Sequence, residues 1–83
     1  MRKYIEKLTA ANKSKTVGNH AVFVGIYGHR SFTYYGTDIC CVDDNKKTFS
    51  VTHSGWFTSS TTQAINGYKE FFGNKGYKLI RED

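Results

Sequence analysis

The spacing of apolar residues changes period twice along this chain, and that change sets the class of fold before any motif is read. Between Arg2 and Ala11 the residues Tyr4, Ile5, Leu8 and Ala11 recur at helical spacing, with Lys3 and Lys7 on the other side, which predicts a short amphipathic helix. The polar run Asn12 to Thr16, with Gly18 and Asn19, reads as a connecting loop. From Ala21 to Tyr27 the chain is β-branched and aromatic, as a strand requires, and Gly28-His29-Arg30 follows as a turn. Ser31 to Asp43 is a second extended stretch with Phe32, Tyr34, Ile39 and Val42 as packing residues and Gly36 as a bulge or bend. Turn formers from Asp43 to Lys47 lead into Thr48 to His53, where Phe49 and Val51 alternate with polar neighbours, so a hairpin is the natural reading.

Helical spacing then returns. Ser60 and Gln63 have capping-box spacing, with Thr58 and Thr61 as the alternative cap. Ala64, Ile65, Tyr68, Phe71 and Phe72 form the apolar face, and Gly73 is placed to end the helix. After the turn Asn74-Lys75-Gly76, Tyr77 to Arg81 adds a final short strand. The fold class predicted is α+β: an antiparallel sheet of three to four strands packed by one main helix, with a short N-terminal helix.

With 83 residues there is room for a single domain, residues 1–83, and one modest core. No apolar run approaches the roughly 20 residues a membrane helix needs. The opening Met1-Arg2-Lys3-Tyr4-Ile5-Glu6 has no apolar stretch of the kind that marks a secretory signal, so the expected location is the cytoplasm. Cys40 and Cys41 are adjacent, and in a strand their side chains point to opposite faces, which favours two free thiols with one packed in the core.

Catalysis has no support in the spacings. There is no phosphate-binding Gly-x-x-x-x-Gly-Lys-Ser loop, no His-x-x-x-His helix face and no Cys-x-x-Cys pair, and His20, His29, His53 and the cysteines lack the close pairing of zinc ligands. A ribonuclease would use His29 and His53 as acid and base, but nothing in their positions brings them to a third group. No enzyme activity, cofactor or metal is expected.

Binding is better supported. Twelve Lys and Arg against seven acidic residues give a net charge of +5, which makes a polyanion a natural partner. Basic sheets with exposed aromatics suit single-stranded RNA, whose unstacked bases lie on the rings while cations hold the backbone. The residues expected to bind nucleic acid are Lys13, Lys15, Arg30, Lys46 and Lys47, each placed in a loop or turn, together with Tyr35. Trp56, the one tryptophan, is a stacking platform for a base, an anchor at a protein interface or the centre of the core, and the area an indole buries favours the core. Asn66, among apolar neighbours, reads as a buried amide tying the second helix to the strand before it.

Gly36-Thr37-Asp38-Ile39, then Ser54-Gly55-Trp56 with Thr58, Thr61 and Thr62, and finally Ile65-Asn66, resemble a family of small phage proteins with the pattern G-T-x-I, G-G-W-x-T-x-T-T-x-x-x-N. The resemblance covers residues 36 to 66. It departs at Ser54, which replaces the first glycine of the pair, and at Gln63, where the family often has a lysine whose anion-binding role cannot be carried over. It implies a phage origin and a compact sheet-plus-helix fold. In size and charge the chain also looks like the T4-type phage inhibitors of the ToxN toxin endoribonuclease, which implies an RNA-dependent counter-defence role with a host defence protein as partner. The alternative is a module that binds a defence protein, for example a CRISPR effector, directly and without nucleic acid.

Overall fold

The computed structural model describes residues 2–83. Its elements run α1 (Lys3–Ala10), β1 (Lys15–Val17), β2 (His20–Val24), β3 (His29–Tyr34), β4 (Thr37–Asp43), β5 (Thr48–Val51), α2 (Ser59–Asn74) and β6 (Lys78–Glu82). The strands form one sheet in chain order, and β1 to β5 are an antiparallel meander. β6 pairs parallel to β5. The reason is α2, which carries the chain back along the sheet so that the next strand starts where β5 started; a parallel pair needs a crossover of this kind. The class is α+β, but the sheet is mixed and six-stranded, larger than the antiparallel sheet of three or four strands that the sequence predicts.

The additional strands have local causes. Thr16 and Val17 are good strand formers, and Gly18-Asn19 turns them back onto β2 with Val17 opposite His20, so part of the predicted loop is an edge strand. The single extended stretch from Ser31 to Asp43 is two strands, because Tyr35 and Gly36 both take positive φ (51° and 76°). That pair of conformations makes the two-residue hairpin turn whose twist matches its flanking strands. Gly36 is therefore a turn residue, and the bulge lies further on. Phe32 faces Cys40 and Thr33 faces Asp38, so Ile39 is the extra residue, and both Ile39 and Cys40 are buried. His29 and Arg30 open β3, and the preceding turn is Gly25 to Gly28. Gly28 has φ of 79°, and a Cβ there would lie 2.7 Å from Nδ2 of Asn45, which donates to the Tyr27 carbonyl at 2.8 Å. The β2–β3 turn is thus seated on the β4–β5 turn.

Both helices lie on one face of the sheet. Ile5 and Leu8 of α1, Ala64, Ile65, Tyr68 and Phe72 of α2, and Val22, Phe32, Ile39, Cys40, Val42, Phe49 and Val51 of the strands make one continuous core. Cys40 is inside it and Cys41 is exposed, both as free thiols. No helix among the described residues is long and apolar enough to cross a membrane.

Four expectations in and before α2 change. The cap is Thr58, whose hydroxyl accepts from the Thr61 amide at 3.2 Å, rather than Ser60. Thr58→Ala should cost about 1 kcal/mol in urea denaturation, and a loss near zero would show that the cap is not holding the helix start. Gly73 lies within the helix, which ends at Asn74, with Gly76 taking the positive φ (86°) after it. Asn66 is exposed, because the inward positions Ala64, Ile65, Tyr68 and Phe72 turn it toward solvent, so it is not the buried tie the sequence suggests. Trp56 is 60% exposed and not the core anchor, since Tyr68 already fills the place beside Phe32 with ring centroids 4.7 Å apart.

Candidate nucleic-acid interface

A meander delivers its turns alternately to two ends of the sheet, and the helices add their termini to the same ends. At one end stand the last turns of α1 and α2, the β2–β3 and β4–β5 turns and the start of β6. This end carries Lys7, Lys13, Arg30, Lys46, Lys47, Lys75 and Lys78, seven of the twelve cations, against Glu6, Asp43 and Asp44. The opposite end has Arg2, Lys3 and Arg81 balanced by Asp38, Glu82 and Asp83. The net charge is concentrated at one pole. Ile26 and Tyr27, in the β2–β3 turn at the same pole, are 87% and 73% exposed, so an uncovered ring stands among the lysines.

Of the residues the sequence singles out, Lys13, Lys46 and Lys47 are exposed at this pole, and Lys15 is exposed on the edge strand β1 nearby. Tyr35 is exposed at the other end, in the β3–β4 turn, where its hydroxyl accepts from Nδ2 of Asn19 at 2.9 Å. It does not join the lysines.

Arg30 is a correction of another kind. Its side chain points to the helix side of β3 and is held by partners. Nε and Nη2 donate to the two carboxylate oxygens of Asp44, each at 2.7 Å, and Nη1 donates to the Thr9 carbonyl at 2.8 Å. The guanidinium lies 5.6 Å from the Phe32 ring centre and 5.4 Å from that of Phe72. A bidentate pair with two rings beneath it fixes the charge in place, so Arg30 is a clamp between α1, β3 and the β4–β5 turn and not an exposed cation for a backbone.

Beside this clamp a groove of about 520 Å³ opens between the last turns of the two helices, with Glu6, Thr9, Arg30, Lys47, Lys75 and Tyr77 among its walls. The Tyr77 hydroxyl donates to Asp44 at 2.6 Å, and Lys47 Nζ stands 5.1 Å over the Tyr77 ring. Lys75 Nζ is 5.6 Å from the Phe71 ring centre. Lysines resting on aromatic faces keep their charge at the surface with less side-chain freedom to lose on binding an anion. Lys75, Lys78 and Tyr77 were not among the predicted binding residues. Lys75 sits in a turn predicted from the sequence and meets the same criterion that selected Lys46 and Lys47.

Burial pushes the Asp44 carboxyl up, but the hydrogen bonds from Arg30 and Tyr77 and the charges of Arg30 and Lys47 outweigh it and hold the group below the usual carboxylate range. A carboxyl held low in the folded state contributes stability that is present above its unfolded value and lost as pH falls through the folded one. Thermal stability should therefore drop below about pH 4, and in Asp44→Asn that part of the acid dependence should vanish. An unchanged acid limb in the variant would remove Asp44 from the account.

His29 opens β3 at the basic pole, and His53 follows β5 at the other, with its Nε2 3.2 Å from the Thr62 hydroxyl. The length of the sheet separates them. Among the described residues no three His, Cys, Asp or Glu side chains converge to hold a metal ion.

Fold and interface together define a small α+β domain: a mixed sheet covered on one face by two helices, with its positive charge gathered at one end. Comparison with protein-family models, with curated proteins and with solved structures finds no match.

Proposed function

We propose that this protein binds single-stranded RNA through its basic pole and, in keeping with the phage-type resemblance of residues 36 to 66, that it counteracts a host defence factor such as a toxin endoribonuclease in an RNA-dependent way. The observation that carries the first part is the gathering of six exposed lysines at one end, with Tyr27 exposed among them. Phosphates are held by exposed Lys and Arg, and unstacked bases lie on aromatic rings, so both parts of a single strand have a counterpart there. Lys13, Lys46, Lys47, Lys75 and Lys78 serve the backbone, and Tyr27 offers a platform for a base.

Fluorescence anisotropy of a labelled oligouridylate tests the binding. Affinity should fall steeply between 50 and 200 mM salt, by about twentyfold for three phosphate contacts. Binding that is absent at low salt, or indifferent to salt, would end the RNA reading. The counter-defence part is tested by co-expression with a toxin endoribonuclease, where rescue of growth is expected and its absence counts against that part alone.

A second reading, direct docking on a defence protein such as a CRISPR effector, is favoured by the other pole. Trp56 and Phe57 are exposed together there, Phe57 at 77%. Such aromatics are typical interface anchors.

A further inference from the structure

Opposite the basic pole, α2 begins against the end of the sheet and the segment from Thr52 to Thr58 closes over the junction. Ser54 and Gly55 take positive φ (51° and 85°), and the Ser54 hydroxyl donates to the Asp38 carbonyl at 2.8 Å. The Trp56 amide donates to the His53 carbonyl at 2.8 Å. This loop leaves the indole outside the core, at the rim of a cleft of about 550 Å³, a size typical of small-molecule sites.

Trp56, Tyr34 and Tyr35 supply rings, and Tyr34 continues across the sheet as a stack: the ring of His20 on β2 lies 4.6 Å from it, and that of Tyr4 on α1 lies 3.7 Å from His20. Tyr34 is thereby held in place. Ile39, Thr37, Thr58, Ser60 and Thr61 complete a mainly apolar lining. The hydroxyls of Thr58 and Thr61 bond each other at 2.9 Å, which leaves those of Thr37 and Ser60 to meet an occupant. Among the described residues no charged side chain lines the cleft.

We propose that this cleft binds a nucleobase: a neutral planar ring stacked against Trp56 and Tyr35, with its polar edge toward Thr37 and Ser60. The absence of charge in the lining disfavours a phosphate inside it. The hydroxyls of Thr37 and Ser60 offer the polar edge of a ring partners that a purely hydrocarbon side chain would not use. A heteroaromatic ring suits both the apolar lining and these hydroxyls. The base comes either from a free nucleoside or from an RNA strand; the second source deepens the RNA-binding reading and rests on it, whereas the first does not.

Trp56 is the chain's one tryptophan, so its emission reports on the cleft alone. Adenosine and uridine, which carry no phosphate, should quench it saturably and equally at low and high salt. Tyr35→Ala should weaken that binding about tenfold, while Tyr35→Phe, which keeps the ring and loses the bond from Asn19, should leave it nearly unchanged. Circular dichroism establishes that both variants fold. Should Tyr35→Ala unfold, Ser60→Ala replaces it, with a severalfold loss expected.

Quenching by an oligouridylate that weakens in Tyr35→Ala assigns the base to a strand; nucleoside quenching with unchanged RNA affinity assigns the cleft to free nucleosides. Absence of quenching by either nucleoside overturns the proposal. So does quenching by N-acetylphenylalaninamide in their place, which would make the cleft a protein-docking site. Loss of RNA affinity on removing Lys46, Lys47 and Lys75 bears only on the basic pole, so the two readings fail separately.

Discussion

Phe72→Ala is expected to lower the melting temperature by about 15–30 °C and to leave the chain partly unfolded at 37 °C. Phe72 is fully buried, with ring centroids of Phe32, Phe49, Phe71 and Tyr77 5.1–5.7 Å away, and it also lies beneath the Arg30 guanidinium. Removing such a ring takes away its transfer energy and leaves a cavity, together about 3–5 kcal/mol. A domain of this length has in total about 4–12 kcal/mol. The loss is therefore a large part of the whole. Phe72→Leu, which keeps most of the volume, should cost less than half as much. A far-UV melt is the measurement, and a fall below about 5 °C for the alanine variant would show that the core is not organised around this ring.

The second large effect concerns binding. Replacing Lys46, Lys47 and Lys75 together by alanine should reduce the slope of log affinity against log salt by about 2 for a single-stranded RNA and weaken binding at 50 mM salt by more than tenfold. All three are exposed, so the melting temperature should change little. The matching change at the opposite pole, Lys3→Ala with Arg81→Ala, removes similar charge where Asp38, Glu82 and Asp83 balance it, and Arg81 is already paired with Asp83 at 2.6 Å. It should leave the slope unaltered. Equal effects from both sets would mean that net charge, and not its placement, governs binding.

Particular residues show how much was legible in advance. Phe49 and Val51 at a period of two, and Ala64, Ile65, Tyr68 and Phe72 at a period of 3.6, read onto one face and are buried; Phe32, Ile39 and Val42 read as packing residues from their apolar side chains alone and are buried as well. Lys13, Lys46 and Lys47 are exposed because turns leave long cations in water. Arg30 was misjudged by the same rule: it begins a strand, and Asp44, which holds it, is 14 residues away. Trp56 is exposed although its area favours burial, because Tyr68 fills the space beside Phe32. Tyr35 was assigned to the lysines although the meander sends its turn to the other end.

By itself, then, the sequence determined what local physics controls: the α+β class, the position of the two helices, much of the core and the excess of positive charge. Periodicity and turn chemistry act over a few residues and need no partner. The parallel pairing of β6, the clamp of Arg30 on Asp44, the concentration of cations at one pole and the aromatic cleft at the other were decided only in three dimensions. Each depends on which turns share an end of the sheet and which of several large side chains occupies a limited interior, and neither is encoded within a single segment.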